Sequence, residues 1–127
     1  MPHSYRLRTG RVSETGRGYL ITTVTHERQK FFSEFTLARS AICELRHCDE
    51  IGLCDTLAFV LMPDHLHWLF QLRAGSLSNL VQRFKSRSAK NLNEMAGMIG
   101  RQVWQEGFHD HAIRDNEDIQ GIARYIV

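Results

Sequence analysis

Hydrophobic and polar positions between Tyr19 and Ala112 switch between a two-residue and a helical period. Tyr19-Leu20-Ile21-Thr22-Thr23-Val24-Thr25 is dense in β-branched and aromatic residues and predicts a first strand. After a polar connector at 26–30, Ser33 stands where a helix cap belongs, ahead of Ala38, Ala41, Ile42 and Leu45 at helical spacing. A second strand follows over about residues 54–61. It is apolar on both faces, the pattern of a central strand covered on both sides. Pro63-Asp64 reads as a tight turn, because proline pre-sets φ and aspartate hydrogen-bonds its own backbone. The third strand runs from there to about Leu72. Strand alternation sends Leu66, Trp68, Phe70 and Leu72 into a core, and His65 and His67 to the other face.

Ala74-Gly75 breaks this pattern, and Ser76 is placed to cap a second helix. Leu77, Leu80, Val81, Phe84, Leu92 and Met95 form its predicted buried face, with Gly97 and Gly100 near its end. Residues 104–108 read as a loop with aromatic anchors and 109–114 as a short edge strand. Asp115 or Asn116 is then placed to cap a last helix containing Ile119, Ile122, Ala123 and Ile126. The resulting β-α-β-β-α-β order predicts an α+β, ferredoxin-like (RRM-like) antiparallel sheet with its helices on one face, followed by a C-terminal helix carrying Tyr125. Residues 1–17 are expected to form an N-terminal arm and 18–127 one domain. The sheet face without helices is expected to be free to bind, with both histidines on it.

Composition narrows the class more than the function. The 127 residues are enough for one core, and 43% hydrophobic with 24% charged residues is ordinary for a globular protein. No apolar run approaches membrane-spanning length, and residues 1–8 lack the apolar core of a secretory signal. Cys43, Cys48 and Cys54 are odd in number and form no Cys-x-x-Cys pair, which favours free thiols and a cytoplasmic location. A net charge of +2 and a pI near 8.6 give only a weak pull on an anionic partner. Arg83, Arg87 and Lys90 recur at helical spacing, as either a phosphate-tracking stripe or a solvated helix face.

The chemistry concentrates in Met62-Pro63-Asp64-His65-Leu66-His67-Trp68. Two imidazoles side by side at a strand entrance are plausible ligands for one divalent cation. A second His-x-His, His109-Asp110-His111, opens an alternative: a small zinc hydrolase built on His65, His67, His109 and His111. Tyr125 reads either as a packing residue with a wet hydroxyl or as a nucleophile. Its phenol, with a pKa near 10, would then need a cation or a base beside it.

Four blocks occur in order: Pro63-Asp64-His65-Leu66-His67, Phe84-Lys85-Ser86, Trp104 through Arg114, and Tyr125-Ile126-Val127. Together they resemble the single-tyrosine HUH transposases, and most closely the REP-associated tyrosine transposase (IS200-like) branch. The likeness covers nearly the whole chain from Gly18. It implies that His65 and His67 bind Mg²⁺ or Mn²⁺, which polarises a phosphodiester of single-stranded DNA. Tyr125 would attack the phosphorus, giving a 5′-phosphotyrosine and a free 3′-hydroxyl. It also implies a hairpin-bearing single-stranded DNA partner, with Arg83, Lys85, Arg87, Lys90, Arg114 and Arg124 as candidates for phosphate contact. Members of this family are monomers or homodimers. Relatives continue beyond the tyrosine, where a polar residue can complete the metal shell, whereas this chain ends at Val127. The expectation is therefore a C-terminally short domain in which His111, water or DNA phosphate supplies further ligands. Alternatively, it is a remnant that binds DNA hairpins without cutting them.

Overall fold

A computed structural model describes residues 13–114 and 121–122. Strand β1 is Gly18–Val24, helix α1 Phe35–Glu50, β2 Cys54–Met62, β3 His65–Leu72, α2 Leu77–Ala96 and β4 His109–Ala112. The four strands form one sheet in the order β2-β3-β1-β4, with every pairing antiparallel. This is the ferredoxin-like order: β3 lies between the two strands that α1 connects, and β4 closes the far edge. The fold is α+β, as the order of periods predicts.

Register decides which side chains share a face. Ile21 lies opposite Trp68 and Thr22 opposite His67. Tyr19, Ile21, Leu66, Trp68, Phe70 and Leu72 therefore point together toward the helices, and all are essentially inaccessible. Phe84 of α2 meets Trp68 at 5.4 Å between ring centroids, and Trp104 meets Phe84 at 5.7 Å and Phe32 at 5.4 Å. Burying each large ring contributes up to about 3 kcal/mol, so this aromatic column anchors the helices and the 101–108 segment to the sheet.

Several sequence expectations change. The second strand lies at the sheet edge instead of its centre, and only Cys54 along it is buried. Its pairing with β3 slips between Thr56 and Ala58, leaving Leu57 46% exposed. A bulge of this kind twists an edge strand and limits its pairing with another chain. Ser33 falls in a short 3₁₀ turn, and Glu34 occupies the cap position of α1 without a side-chain bond. Ser76 does cap α2, its hydroxyl accepting from the Asn79 amide at 3.1 Å. Met95 is 54% exposed on the last turn of α2, which Gly97 ends at φ 70°.

A partly buried polar network borders the core at the end of α1. Asp49, at the end of α1, accepts from the Thr56 amide at 3.1 Å and hydroxyl at 2.8 Å, while Thr56 Oγ1 in turn accepts from Trp68 Nε1 at 3.0 Å. Burial, reinforced by Glu44, pushes the Cys48 thiol up to about 11, and burial with the Asp49 hydrogen bond raises Cys54 further. Both are inert small core residues, while Cys43 is exposed.

Candidate metal and nucleic-acid site

The Pro63-Asp64 turn delivers His65 and His67 to the start of β3, and strand alternation turns both away from the helices. Their rings stand edge to face, 4.9 Å between centroids and 79° between planes. Each Nδ1 already has an oxygen neighbour. His65 Nδ1 lies 2.7 Å from Asp64 Oδ1, and His67 Nδ1 lies 2.9 Å from Thr22 Oγ1. With a proton on each Nδ1, the lone pair of each ring sits on Nε2, the nitrogen left for a ligand. Such outer contacts characteristically orient metal-binding imidazoles.

Electrostatics favour the same arrangement. Burial, and after it the charge on His65, pushes His67 below its ordinary value, so the ring is held in the neutral form that binds metals. The hydrogen bond with His65, with Arg28 adding to it, keeps the Asp64 carboxyl below the usual range against the opposing effect of burial. The donor set therefore fits two positions of a divalent-cation shell. Two imidazoles alone leave a hard ion needing oxygen ligands.

His109 and His111 do not join this pair. They lie on the same sheet face, but β1 intervenes, with Thr22 between His67 and His109 and Leu20 opposite His111. Two strand spacings separate β3 from β4 by about 10 Å. Among the described residues no three His, Cys, Asp or Glu side chains gather to hold a metal. The described residues therefore do not gather the four histidines into one zinc site. Nor is this sheet face bare throughout, since Leu69, two residues beyond His67, is 0% exposed.

The basic residues separate by role. Arg87 Nε pairs at 3.1 Å with Glu44 Oε2, a carboxylate buried on α1. Arg83 is partly buried on α2. Lys85 points elsewhere, donating from Nζ to the carbonyls of Gln105 (2.5 Å) and Gly107 (2.7 Å). Lys90 and Arg114 are exposed. Lys85 therefore lines an open groove of ≈ 800 Å³ between α2 and residues 101–108, floored by Val81, Trp104 and Phe108. Because α2 covers the sheet face opposite the histidines, the cations of α2 and the imidazole pair occupy different sides of the domain. Tyr125 and Arg124 lie outside the described residues, as does most of the expected last helix; Gly121 and Ile122 are helical.

No helix among the described residues is long and apolar enough to cross a membrane. Known proteins supply the remaining context. The chain is 26% identical over 123 residues to a Haemophilus influenzae (strain Rd KW20) protein named, by inference, a REP-associated tyrosine transposase; the match covers 85% of this chain and 66% of that relative. The chain thus spans slightly under two thirds of the curated relative's length. Its fold is similar to that of a REP-associated tyrosine transposase solved bound to a REP hairpin, with a TM-score of 0.65 and 22% identity over 91% of this chain and 67% of the other. It is similar as well to a crystal structure of a Deinococcus radiodurans R1 protein assigned by inference as a transposase, with a TM-score of 0.67 and 17% identity over 89% and 91%. The model of the family described as IS200-like transposases matches residues 15–127, and the chain belongs to that family.

Proposed function

We propose that this chain is a transposase acting on single-stranded DNA, cutting and rejoining it through a covalent tyrosine intermediate. The observation that carries the reading is the His65/His67 pair: two imidazoles with centroids 4.9 Å apart, each tethered at Nδ1, within a domain of the IS200-like transposase family. His65 and His67 would hold Mg²⁺ or Mn²⁺ through Nε2. Bound there, the ion would supply Lewis-acid polarisation of the scissile phosphodiester.

Tyr125 is the proposed nucleophile, on the match of Tyr125-Ile126-Val127 to the family pattern. Its oxygen forms a bond to phosphorus and the bond from phosphorus to the 3′-oxygen breaks. The phenolic proton is lost and the departing 3′-oxygen gains one. One phosphodiester is exchanged for another, so the intermediate stores the bond for rejoining. Thr22 and Asp64 hold the two rings in place while the strand binds. Exposed Lys90 and Arg114, with Arg124, are proposed to contact phosphates, which positions DNA without reading its sequence.

The test is incubation with hairpin-bearing single-stranded DNA and Mn²⁺, with a denaturing gel to detect a protein–DNA adduct. Wild type should form it, Tyr125→Phe should form none, and His65→Ala or His67→Ala should slow it on the order of 10²-fold or more. Adduct formation unchanged by all three substitutions would refute the role assignments. Salt-dependent hairpin binding with no adduct under any metal would reduce the chain to a DNA-hairpin binder.

A further inference from the structure

Asp64 bridges the candidate ligand and a cation on another segment. Its Oδ1 lies 2.7 Å from His65 Nδ1 and its Oδ2 lies 3.1 Å from Arg28 Nε. The carboxylate is 16% exposed and the arginine side chain 60%. Arg28 reaches this position through an uncommon backbone: Glu27 and Arg28 are consecutive non-glycine residues at φ 55° and 56°. Each such left-handed residue costs about 1 kcal/mol or more, and persists only where its surroundings over-determine it.

The surroundings here do so. The buried Thr25 donates its amide to the Asp64 carbonyl at 2.9 Å, and its hydroxyl lies 2.8 Å from Gln29 O and 3.1 Å from Asp64 O, sharing one proton between them. Phe32 N donates to Pro63 O at 3.0 Å, and His26 N to Val103 O at 2.8 Å. The segment carrying Arg28 is thereby fastened at both ends to the turn that precedes the histidines. The Asp64 carbonyl ties the turn to Thr25, while its carboxylate faces His65 and Arg28.

We propose that Asp64, held by Arg28, is a positioning residue for the cation centre: it accepts from His65 Nδ1–H and so keeps the lone pair of His65 on Nε2. The inference rests on the reading of His65 and His67 as ligands. A free histidine side chain favours the opposite tautomer, with its proton on Nε2, so a carboxylate at Nδ1 must reverse an intrinsic preference. Thr22 serves His67 through a hydroxyl that can donate or accept, and specifies the tautomer less strictly. The carboxylate also raises the donor strength of His65.

Two readouts test this without DNA: Mn²⁺ affinity by electron paramagnetic resonance titration, and ¹⁵N chemical shifts of the His65 ring in the metal-free protein. Wild type should show a protonated Nδ1. Asp64→Ala should move the proton toward Nε2 and weaken Mn²⁺ binding about 10–100-fold. Asp64→Asn keeps a carbonyl acceptor and should fall between. Arg28→Ala, at a largely exposed position, should keep the fold and weaken binding severalfold. If His65→Ala removes Mn²⁺ binding while Asp64→Ala alters neither tautomer nor affinity, the positioning role is overturned and the ligand assignment stands. If His65→Ala itself leaves Mn²⁺ affinity unchanged, the ligand assignment fails and takes the positioning role with it.

Discussion

Arg87 reaches across from α2 to place its Nε 3.1 Å from Oε2 of Glu44, a buried carboxylate of α1. Spacing on the helix surface suggests a phosphate contact here; the pairing makes Arg87 a tie between helices. Removing one partner of a buried ion pair leaves the other charge uncompensated, although the half-exposed guanidinium tempers the loss.

Arg87→Ala should therefore destabilise the domain by about 1–3 kcal/mol. Glu44→Gln combined with Arg87→Ala should lose less than the two single changes summed. A double-mutant cycle from urea unfolding measures this coupling. Strict additivity, with reduced DNA affinity in a fully stable Arg87→Ala, would return the residue to the phosphate-contact role.

Lys85 fastens the 105–107 backbone to α2 through two carbonyls. Lys85→Met keeps the aliphatic stem and loses the ammonium. Hydrogen bonds to charged groups contribute about 1.5–3 kcal/mol, so backbone exchange at Glu106, Gly107 and Phe108 should accelerate about tenfold or more. Hydrogen exchange by mass spectrometry reads it directly. A purely DNA-facing lysine would leave exchange unchanged and lower the salt dependence of binding instead.

Stability should fall on mild acidification in a way that traces to His67. Its folded-state value is depressed, first by burial and then by His65, so below about pH 6.5 the unfolded chain takes up a proton that the folded chain refuses. The associated stability is complete above that pH and declines as pH drops toward the lowered folded value. Asp64, also depressed, contributes in the same direction further down: its share is present above about pH 3.9 and is lost as pH falls through the lowered value. Urea midpoints between pH 7.5 and 5 should slope less in His67→Gln than in wild type. Identical slopes would show that the His67 ring is not held neutral.

Period-based reading serves this fold well where one face is buried and fails where topology intervenes. Leu66, Trp68, Phe70 and Leu72 announce β3 and its core face, and the buried set confirms them. The run Leu57 to Leu61 mimics a central strand, but β3 pairs between β1 and β2 and leaves β2 at the edge. Ser33 has the chemistry of a cap, yet a 3₁₀ turn takes it before α1 begins. At the site, the His65/His67 pair is legible from alternation. The links from Asp64 to Arg28 and from His67 to Thr22 depend on a left-handed turn and a strand register, neither visible in linear spacing. Arg87 and Lys85 look alike along α2, and only the phase of the helix against α1 and the 105–107 segment separates their tasks.

Pulsed electron paramagnetic resonance of the Mn²⁺-loaded protein, with histidines labelled by ¹⁵N, probes the cation centre most directly. Coupling to two imidazole nitrogens in wild type, reduced to one in His65→Ala and in His67→Ala, is the predicted result. Mn²⁺ bound with water alone, or a two-nitrogen signal that survives both substitutions, would contradict it.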